Sequence, residues 1–372
     1  MSDDSPVSVV LAGGGTAGHT SPLIATAERL AELHPGVRIT CIGTPKGLES
    51  RVIPAAGLSL RMVPPVPLPR RLTPELLRVP GRLLASVREA KRILREVDAD
   101  VVAGFGGYVA LPAYLAARSL KLPVVIDEQN AVPGLANKVA ARFARVVAVT
   151  FPGTPLPHAR FLGMPLRRGI TGLDRAAVRP EARAAFGLDA ERPVLLVSGG
   201  SQGARSINTA LEGARGRLLA SGFDVLHVLG PKNFDEAVHR VVTDERTGAR
   251  YVPVAYVDAM ERAYAAADLM VGRSGAGTVM ETAVAGLPCV FVPLPHGNGE
   301  QARNATFVIE AGGGRLVPDA ELTAHRLVAE VTPLLGEPAR LAAMSAVLQG
   351  LVPRDAAGEL ARLVLGCAGV RA

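Results

Sequence analysis

Short apolar runs rich in β-branched residues recur along this chain, and a loop and a pattern of helical period follow most of them. In the first half such runs occupy 7–11, 37–42, 58–63, 101–103, 123–126 and 146–150. In the second they occupy 193–198, 223–229, 250–254, 269–271 and 288–293. Helical patterns are expected at 21–33, where apolar residues fall at 23, 24, 27, 30 and 31, then near 180–186, 204–220, 259–266, 275–285, 300–311, 322–335, 338–350 and 355–366. Strands separated by helix-length segments predict parallel, doubly wound α/β sheets. The rhythm breaks at 151–172, FPGTPLPHARFLGMPLRRGITG, which places a domain boundary near 164–172. A chain of 372 residues is long for one domain and natural for two. The expected architecture is a pair of Rossmann-like domains facing one cleft.

Three glycine-rich loops follow strands: GGGTAGH at 13–19, GFGGY at 104–108 and GGSQGA at 199–204. Glycine lets backbone N–H groups approach an anion closely, and a helix N-terminus behind the loop favours negative charge. Such loops in both halves suggest two phosphorylated ligands, although 104–108 also reads as a tight turn. Gly13, Gly15 and Gly18 formally satisfy G-x-G-x-x-G, but the second strand runs into Gly43 and Thr44 without the carboxylate that a dinucleotide ribose needs. No glycine loop ends in Gly-Lys-Ser/Thr, no Asp-x-Asp pair follows a strand, and no His/Cys cluster occurs. No cofactor and no metal are therefore expected, and a diphosphate would be met by amides, helix dipoles and Arg.

His19 closes the first loop at a helix start, a position that keeps imidazole neutral and able to accept a proton, whereas a bound phosphate would push the other way. Asp127, Glu128, Gln129 and Asn130 stand at the carboxyl end of a parallel strand, where open α/β sheets bind ligands. In the second half, Glu281 lies about two turns into the helix that opens at 274–277, placed to pair with a vicinal diol. The segment 294–304 adds Glu300, Gln301 and Asn304 for hydroxyl recognition.

The net charge is +7, and residues 61–95 alone hold nine Arg or Lys against two Glu, so the remainder balances to about zero. A concentrated basic segment reads as a docking surface for membrane phosphates or nucleic acid. With 4% aromatics and no Trp, base-stacking platforms are not expected, which argues against nucleic acid. Thr73 and Pro74 open one short helical turn, and Pro80 opens the next. Leu76, Leu77, Val79, Leu83, Leu84 and Val87 supply apolar contacts, and Arg70, Arg71, Arg78, Arg82, Arg88 and Arg92 supply charge, as in an interfacial segment on anionic phospholipid. The competing reading is ordinary core packing with solvated arginines. Cys41, Cys289 and Cys367 show no metal spacing and fit a reduced compartment. The start MSDDSP does not read as a signal peptide, and the uncharged stretch 101–117 is too short and too rich in Gly to span a membrane.

Taken in order, GGGTAGH, GFGGYVALP, EQN (128–130), GLANK (134–138), SGGSQGAR (198–205), AYVDAM (255–260), RSGAGTVMETAVAGLP and PHGNGEQARNA resemble the MurG family of bacterial cell-wall N-acetylglucosaminyltransferases, glycosyltransferase family 28. The resemblance spans 7–352, and the high Ala, Arg and Gly content is similar to the actinobacterial branch. It implies a GT-B fold, with 1–166 and a returning C-terminal helix, 352–372, forming an acceptor-binding, membrane-docking domain, and 167–351 binding UDP-GlcNAc. It implies inverting transfer of GlcNAc to the C4 hydroxyl of MurNAc in lipid I, giving lipid II, at the cytoplasmic face of the plasma membrane as a peripheral protein. Other proteins of wall synthesis and division are implied as partners, with roles in cell shape and the cell cycle. A UDP-GlcNAc 2-epimerase-like enzyme, another lipid glycosyltransferase and a nucleotide-binding regulator are the alternatives on the same plan.

For the donor, the resemblance implies the Val257 backbone at uracil, Glu281 at the ribose and Ser201 at the diphosphate. Ala276, Gly277, Thr278, Val279 and Met280 would line the nucleotide, Gln301 and Asn130 would hold the sugar hydroxyls, and Arg167 would stand at the hinge side. Thr16, Ala17 and Gly18 count among the donor contacts. The loop through Gly14, Gly15 and His19, with Gly104, Gly106, Gly107 and Tyr108, would cradle the lipid diphosphate. His19 is the expected base and Glu128 the alternative. The sequence departs from the family pattern at Asp127, where a His often stands, at Met164, where Asn is common, and at Glu300, where some members have Gln.

Overall fold

The computed structural model describes residues 6–66, 78–296 and 298–370. Within these the chain divides into two compact units, the second running from Arg168 to Arg354 and the first comprising what precedes it together with Asp355 onward.

The first unit opens with β1 (Ser8–Ala12), α1 (Ala17–Leu33), β2 (Arg38–Gly43), α2 (Glu49–Ala55), β3 (Ser59–Met62) and α3 (Val79–Glu96). It continues through β4 (Val101–Gly104), α4 (Gly107–Ser119), β5 (Val124–Glu128), α5 (Leu135–Ala140), β6 (Val146–Val149) and β7 (Ala159–Phe161). Among the described residues these strands form one sheet in the order β3-β2-β1-β4-β5-β6-β7, and every neighbouring pair is parallel. The order reverses between β1 and β4, so the loops after those two strands stand at the topological switch point where open sheets bind ligands.

The second unit contains α6 (Arg168–Thr171), α7 (Arg175–Ala185), β8 (Val194–Ser198), α8 (Arg205–Ala220), β9 (Asp224–Val228), β10 (Val242–Thr243) and β11 (Arg250–Val254). It adds α9 (Met260–Ala266), β12 (Leu269–Gly272), α10 (Ala276–Ala285), β13 (Cys289–Phe291), α11 (Glu300–Glu310), β14 (Gly314–Leu316), α12 (Ala324–Leu335) and α13 (Pro338–Gln349). Its sheet runs β10-β11-β9-β8-β12-β13-β14, parallel except for the edge hairpin of β10 with β11. The last helix, α14 (Ala356–Cys367), belongs to the first unit, where Leu360, Ala361, Val364 and Leu365 pack with Val9, Leu11, Leu23 and Leu30.

Central strands are apolar on both faces because helices cover both: Val9 and Leu11 join one core cluster, Val10 and Ala12 another. Burying such side chains stabilises the fold by about 1.5–3 kcal/mol each. The structure departs from sequence expectation at α1. The helical pattern is expected from residue 21, yet the helix begins at Ala17 and carries Pro22 in its second turn. That places His19 in the first turn, with the Thr16 carbonyl accepting from the N–H groups of His19 and Thr20 at 3.2 Å each. The short elements α2, α5, α6, β7, β10 and β14 were too brief for periodicity to reveal.

Candidate active site

The first glycine loop is built around a carboxylate that its own motif does not contain. Glu49, the first residue of α2, is fully buried. Its Oε2 accepts the Gly15 N–H at 2.7 Å, and its Oε1 accepts the Thr44 N–H at 3.0 Å and the Thr44 hydroxyl at 2.7 Å. A Cβ on Gly14 would lie 2.4 Å from the Glu49 carboxyl carbon, so only glycine fits there. Gly14 is buried, and Gly15, although exposed, has its amide engaged by Glu49, which corrects their expected role as diphosphate donors. Thr16, Ala17 and Gly18 are exposed and carry the open N–H groups of the α1 start.

His19 is part-buried beside them, its Nδ1 3.0 Å from the Thr16 hydroxyl. Burial lowers its pKa below the usual histidine value, opposed by a hydrogen bond to the Gly14 backbone and by the negative charge of Glu49. The ring is therefore neutral near pH 7 and can take a proton. A Cβ on Gly106 would meet the ring's Cδ2 at 3.3 Å and Nε2 at 3.4 Å, so the second loop closes against the imidazole. Gly106 and Gly107 both have positive φ, 81° and 75°, a conformation that favours glycine.

Gly104 is corrected as a cradle residue. It is buried in β4, and a Cβ there would lie 2.1 Å from the Tyr114 ring, so its smallness serves packing. Gly106 is buried too, leaving Gly107 and the 55% exposed Tyr108 as the outward members of the loop.

The Glu128 carboxylate is occupied by hydrogen bonds within its own unit. It is buried at the end of β5; Oε1 accepts the Asn130 N–H, and Oε2 accepts the N–H of Gly134 and the amide of Asn137, each at 2.9 Å. Asn137 in turn accepts from the Tyr114 hydroxyl at 2.8 Å. Three donors make Glu128 the organiser of the loop that presents Asn130, half-buried on the same unit. Burial pushes Asp127 up to about 7, with Gln129 donating to its Oδ2 at 2.6 Å.

In the second unit the loop after β8 leaves Gly200, Ser201 and Gln202 exposed, with Gly200 and Gly203 at φ 86° and 74°. Helices α8 and α10 start without side-chain caps, at Ala204 and Gly275. By contrast α7, α12 and α14 are closed by Asp174, Thr323 and Asp355. An uncapped first turn keeps its N–H groups available to an anion.

Glu281 is half-buried on α10, its Oε2 accepting the Tyr264 hydroxyl at 2.7 Å. Gly277 and Thr278 share its outward stripe. Ala276, Val279 and Met280 turn their side chains into the core of their unit, as a period of 3.6 requires, so what they offer at the expected nucleotide lining is backbone. Val257 is also buried, beside the exposed Tyr256, so its backbone is the part left to offer. Gln301, first turn of α11, accepts the Leu294 N–H at 2.9 Å, which fixes the loop after β13. Arg167 is exposed at the last position before the second unit.

Of the basic segment, Arg70, Arg71, Leu76 and Leu77 lie outside the described residues, as do Thr73 and Pro74. Arg78 precedes α3 and is exposed, Arg82 and Leu83 are half-buried, and Leu84 is 50% exposed. The opposite stripe of α3, Ser86, Ala90, Ile93 and Leu94, faces the core. No helix among the described residues is long and apolar enough to cross a membrane.

Comparison with known proteins bears on the family and the fold. Residues 9–149 match the glycosyltransferase family 28 N-terminal domain and residues 194–359 the glycosyltransferase family 28 C-terminal domain. A relative from Cutibacterium acnes is 61% identical over 97% of this chain and 98% of its own, and one from Nocardioides sp. is 57% identical over 96% and 97%. Both are named UDP-N-acetylglucosamine--N-acetylmuramyl-(pentapeptide) pyrophosphoryl-undecaprenol N-acetylglucosamine transferase. Among solved structures, Acinetobacter baumannii MurG superposes with a TM-score of 0.80 at 28% identity, covering 97% of this chain and 100% of that one. The calicheamicin glycosyltransferase CalG4, at TM-score 0.64 and 19% identity over 97% of this chain and 99% of its own, shares the fold.

Proposed function

The chain belongs to glycosyltransferase family 28, and from that premise we propose that it transfers GlcNAc from UDP-GlcNAc to the C4 hydroxyl of MurNAc in undecaprenyl-pyrophosphoryl-MurNAc-pentapeptide, lipid I, to give lipid II. It has the GT-B fold and is a glycosyltransferase. The observation that carries the reading of the site is His19: a neutral imidazole in the first turn of α1, beside the exposed N–H groups of Thr16, Ala17 and Gly18.

In the proposed reaction the acceptor C4 oxygen attacks the anomeric carbon and forms the β-1,4 bond. The bond from that carbon to the UDP oxygen breaks, the electron pair leaves with UDP, and the hydroxyl proton passes to His19. General-base help of this kind contributes roughly 10²–10⁴-fold. The first unit takes the acceptor. In the second, Glu281 holds the ribose diol while Tyr264 fixes its orientation. Backbone atoms at Val257 address the base. Ser201 and the uncapped starts of α8 and α10 meet the diphosphate, whose charge grows as UDP departs. Gln301 contributes to the sugar site.

We also assign this enzyme to the cytoplasmic face of the membrane as a peripheral protein. What supports this is the exposure of Leu84 beside Arg78, Arg82 and Arg88, and an acceptor whose lipid tail stays in the bilayer. The deciding experiment supplies labelled UDP-GlcNAc with a lipid I analogue. Label in a disaccharide lipid is expected. Label in UDP-ManNAc would instead establish an epimerase, and absence of transfer would overturn the proposal.

A further inference from the structure

We propose that Asp319 is a positioning residue of the donor diphosphate site, acting through Arg273 and Ser206 on the two uncapped helix starts of the second unit. This rests on the reading of those starts, of α8 and α10, as groups that meet the diphosphate.

Asp319 follows β14 and opens a single 3₁₀ turn, Asp319–Glu321. Its Oδ1 accepts from the Arg273 guanidinium Nη1 at 2.5 Å and from the Ser206 hydroxyl at 2.6 Å. The Ser206 oxygen in turn accepts from Arg273 Nη2 at 2.9 Å, which closes a ring of three hydrogen bonds among three side chains. Arg273 Nη1 also donates to the carbonyls of Val292 and Pro293, at 3.1 Å each. The Arg273 and Asp319 side chains are only 12% and 16% exposed, so water competes little for these bonds. Burial opposes ionisation of Asp319, yet the hydrogen bonds from Ser206 and Arg273 hold its pKa below the usual carboxylate range.

Each part of this group stands at a different strand end. Ser206 is the second residue of α8, which follows β8. Arg273 directly follows β12 and lies two residues before Gly275, the N-cap of α10. Val292 and Pro293 directly follow β13. The strands β8, β12, β13 and β14 are neighbours in that order, so the Arg273–Asp319 pair bridges two strand spacings, roughly 10 Å. The group therefore sets the first turn of α8, the start of α10 and the loop after β13 at fixed distances from one another. Gln301 holds the next residue of that loop, Leu294. A diphosphate has two phosphoryl groups, and donors drawn from two helix starts serve both only at a set spacing. Spacing fixed in advance lets them stabilise charge without reorganising.

The arrangement also decides what Arg273 does. A guanidinium two residues before a helix N-cap reads at first as a phosphate ligand. Here both of its terminal nitrogens are engaged within the unit, and a carboxylate matches its charge. Stability alone does not call for the pair, because apolar residues of similar volume often replace a buried ion pair without loss. Apolar packing would not supply directional bonds to a hydroxyl and two carbonyls on neighbouring strand ends, and the planar fork of Arg does.

The two roles for Arg273 predict opposite signs, which calorimetry on the full-length protein with UDP and with uridine distinguishes. Asp319→Asn keeps the shape and removes the counter-charge. Were Arg273 a phosphate ligand restrained by its partner, freeing it would tighten UDP binding. As a positioning group it needs Asp319, so UDP affinity should fall about tenfold in Asp319→Asn. In Ser206→Ala, which changes no charge, it should fall about threefold, these being the orders of a charge-assisted and a neutral hydrogen bond. Uridine, which carries no phosphate, should bind both variants as it binds the parent. Tighter UDP binding in Asp319→Asn, or unchanged binding in either variant, overturns the proposal. An equal loss for uridine and UDP also overturns it, because that marks a general loosening of the unit. Should Asp319→Asn not fold, Ser206→Ala decides on the same criterion. The parent isolates the underlying reading: if it binds UDP no more tightly than uridine, the helix starts do not meet the diphosphate and the role of Asp319 falls with them.

Discussion

The two glycine loops that follow β1 and β8 share a plan and differ in charge. Each leaves a buried parallel strand, bends through glycines of positive φ and opens a helix without a side-chain cap. Beneath the first lies an ionised carboxylate that engages the Gly15 amide, and on its helix stands an imidazole. The second has neither. Its Gly200 amide has the Ser198 hydroxyl at 3.3 Å, and the Gly203 amide turns back to the Gly200 carbonyl at 2.9 Å. A strand–loop–helix junction is thus a neutral template for anions. A buried carboxylate under one copy makes the two loops differ in charge, although their backbone plan is shared.

The largest effect expected from this difference is at His19. His19→Asn should lower transfer roughly 10²–10⁴-fold while UDP-GlcNAc still binds. In the parent, burial depresses the imidazole pKa, so kcat should stay flat as pH falls through neutrality and decline only below the usual histidine value near 6.5. A limb at or above that value would mean that the ring is not the titrating base. Either result decides whether the first loop is the proton-handling one.

Next is the surface of the first unit. Juxtamembrane basic residues contribute about 1 kcal/mol each near an anionic leaflet. Replacing Arg78, Arg82 and Arg88 together by Gln should weaken binding to anionic vesicles by roughly 3 kcal/mol, about a hundredfold, and added salt should reproduce the loss. Unchanged sedimentation with vesicles would leave α3 an ordinary helix with solvated arginines.

In the second unit, Glu281→Ala removes an acceptor of charge-assisted hydrogen bonds worth roughly 1.5–3 kcal/mol each. Donor affinity measured by calorimetry should fall about tenfold or more, with the thermal transition retained. Unaltered affinity would mean that the carboxylate does not meet the ribose.

The alternation of strands and helices was legible because parallel strands are apolar on both faces and stand out against helical period. The two glycine loops and His19 could be singled out because they stand within a few residues of a strand end, and Glu281 because it lies on the helix that follows one. Glu49 was not. Its role depends on β2, α2 and the first loop meeting in space, 34 residues apart along the chain, and nothing in its neighbours distinguishes it from a solvated glutamate. Glu128 was noticed for being polar at a strand end, yet what its oxygens do depends on Gly134 and Asn137 of the following turn. Val279 and Met280 entered with their motif as a block, although helical geometry sorts that block into inward and outward members.

The smallest effect is expected from removing divalent ions, and it tests the second loop most directly. A diphosphate brings negative charge that must be met by something as UDP leaves. Among the described residues no three His, Cys, Asp or Glu side chains gather as a metal site would require. What the second unit offers is the exposed run Gly200–Gln202, the uncapped N–H groups of α8 and α10, and the dipoles of both helices. These donors are fixed in place before the substrate arrives, so they stabilise developing charge without reorganising. If they suffice, UDP-GlcNAc affinity measured in EDTA should match that measured with magnesium. A large loss in EDTA would show that an ion shares the diphosphate with these amides, and that the second loop is not the self-sufficient anion site that sets it apart from the first.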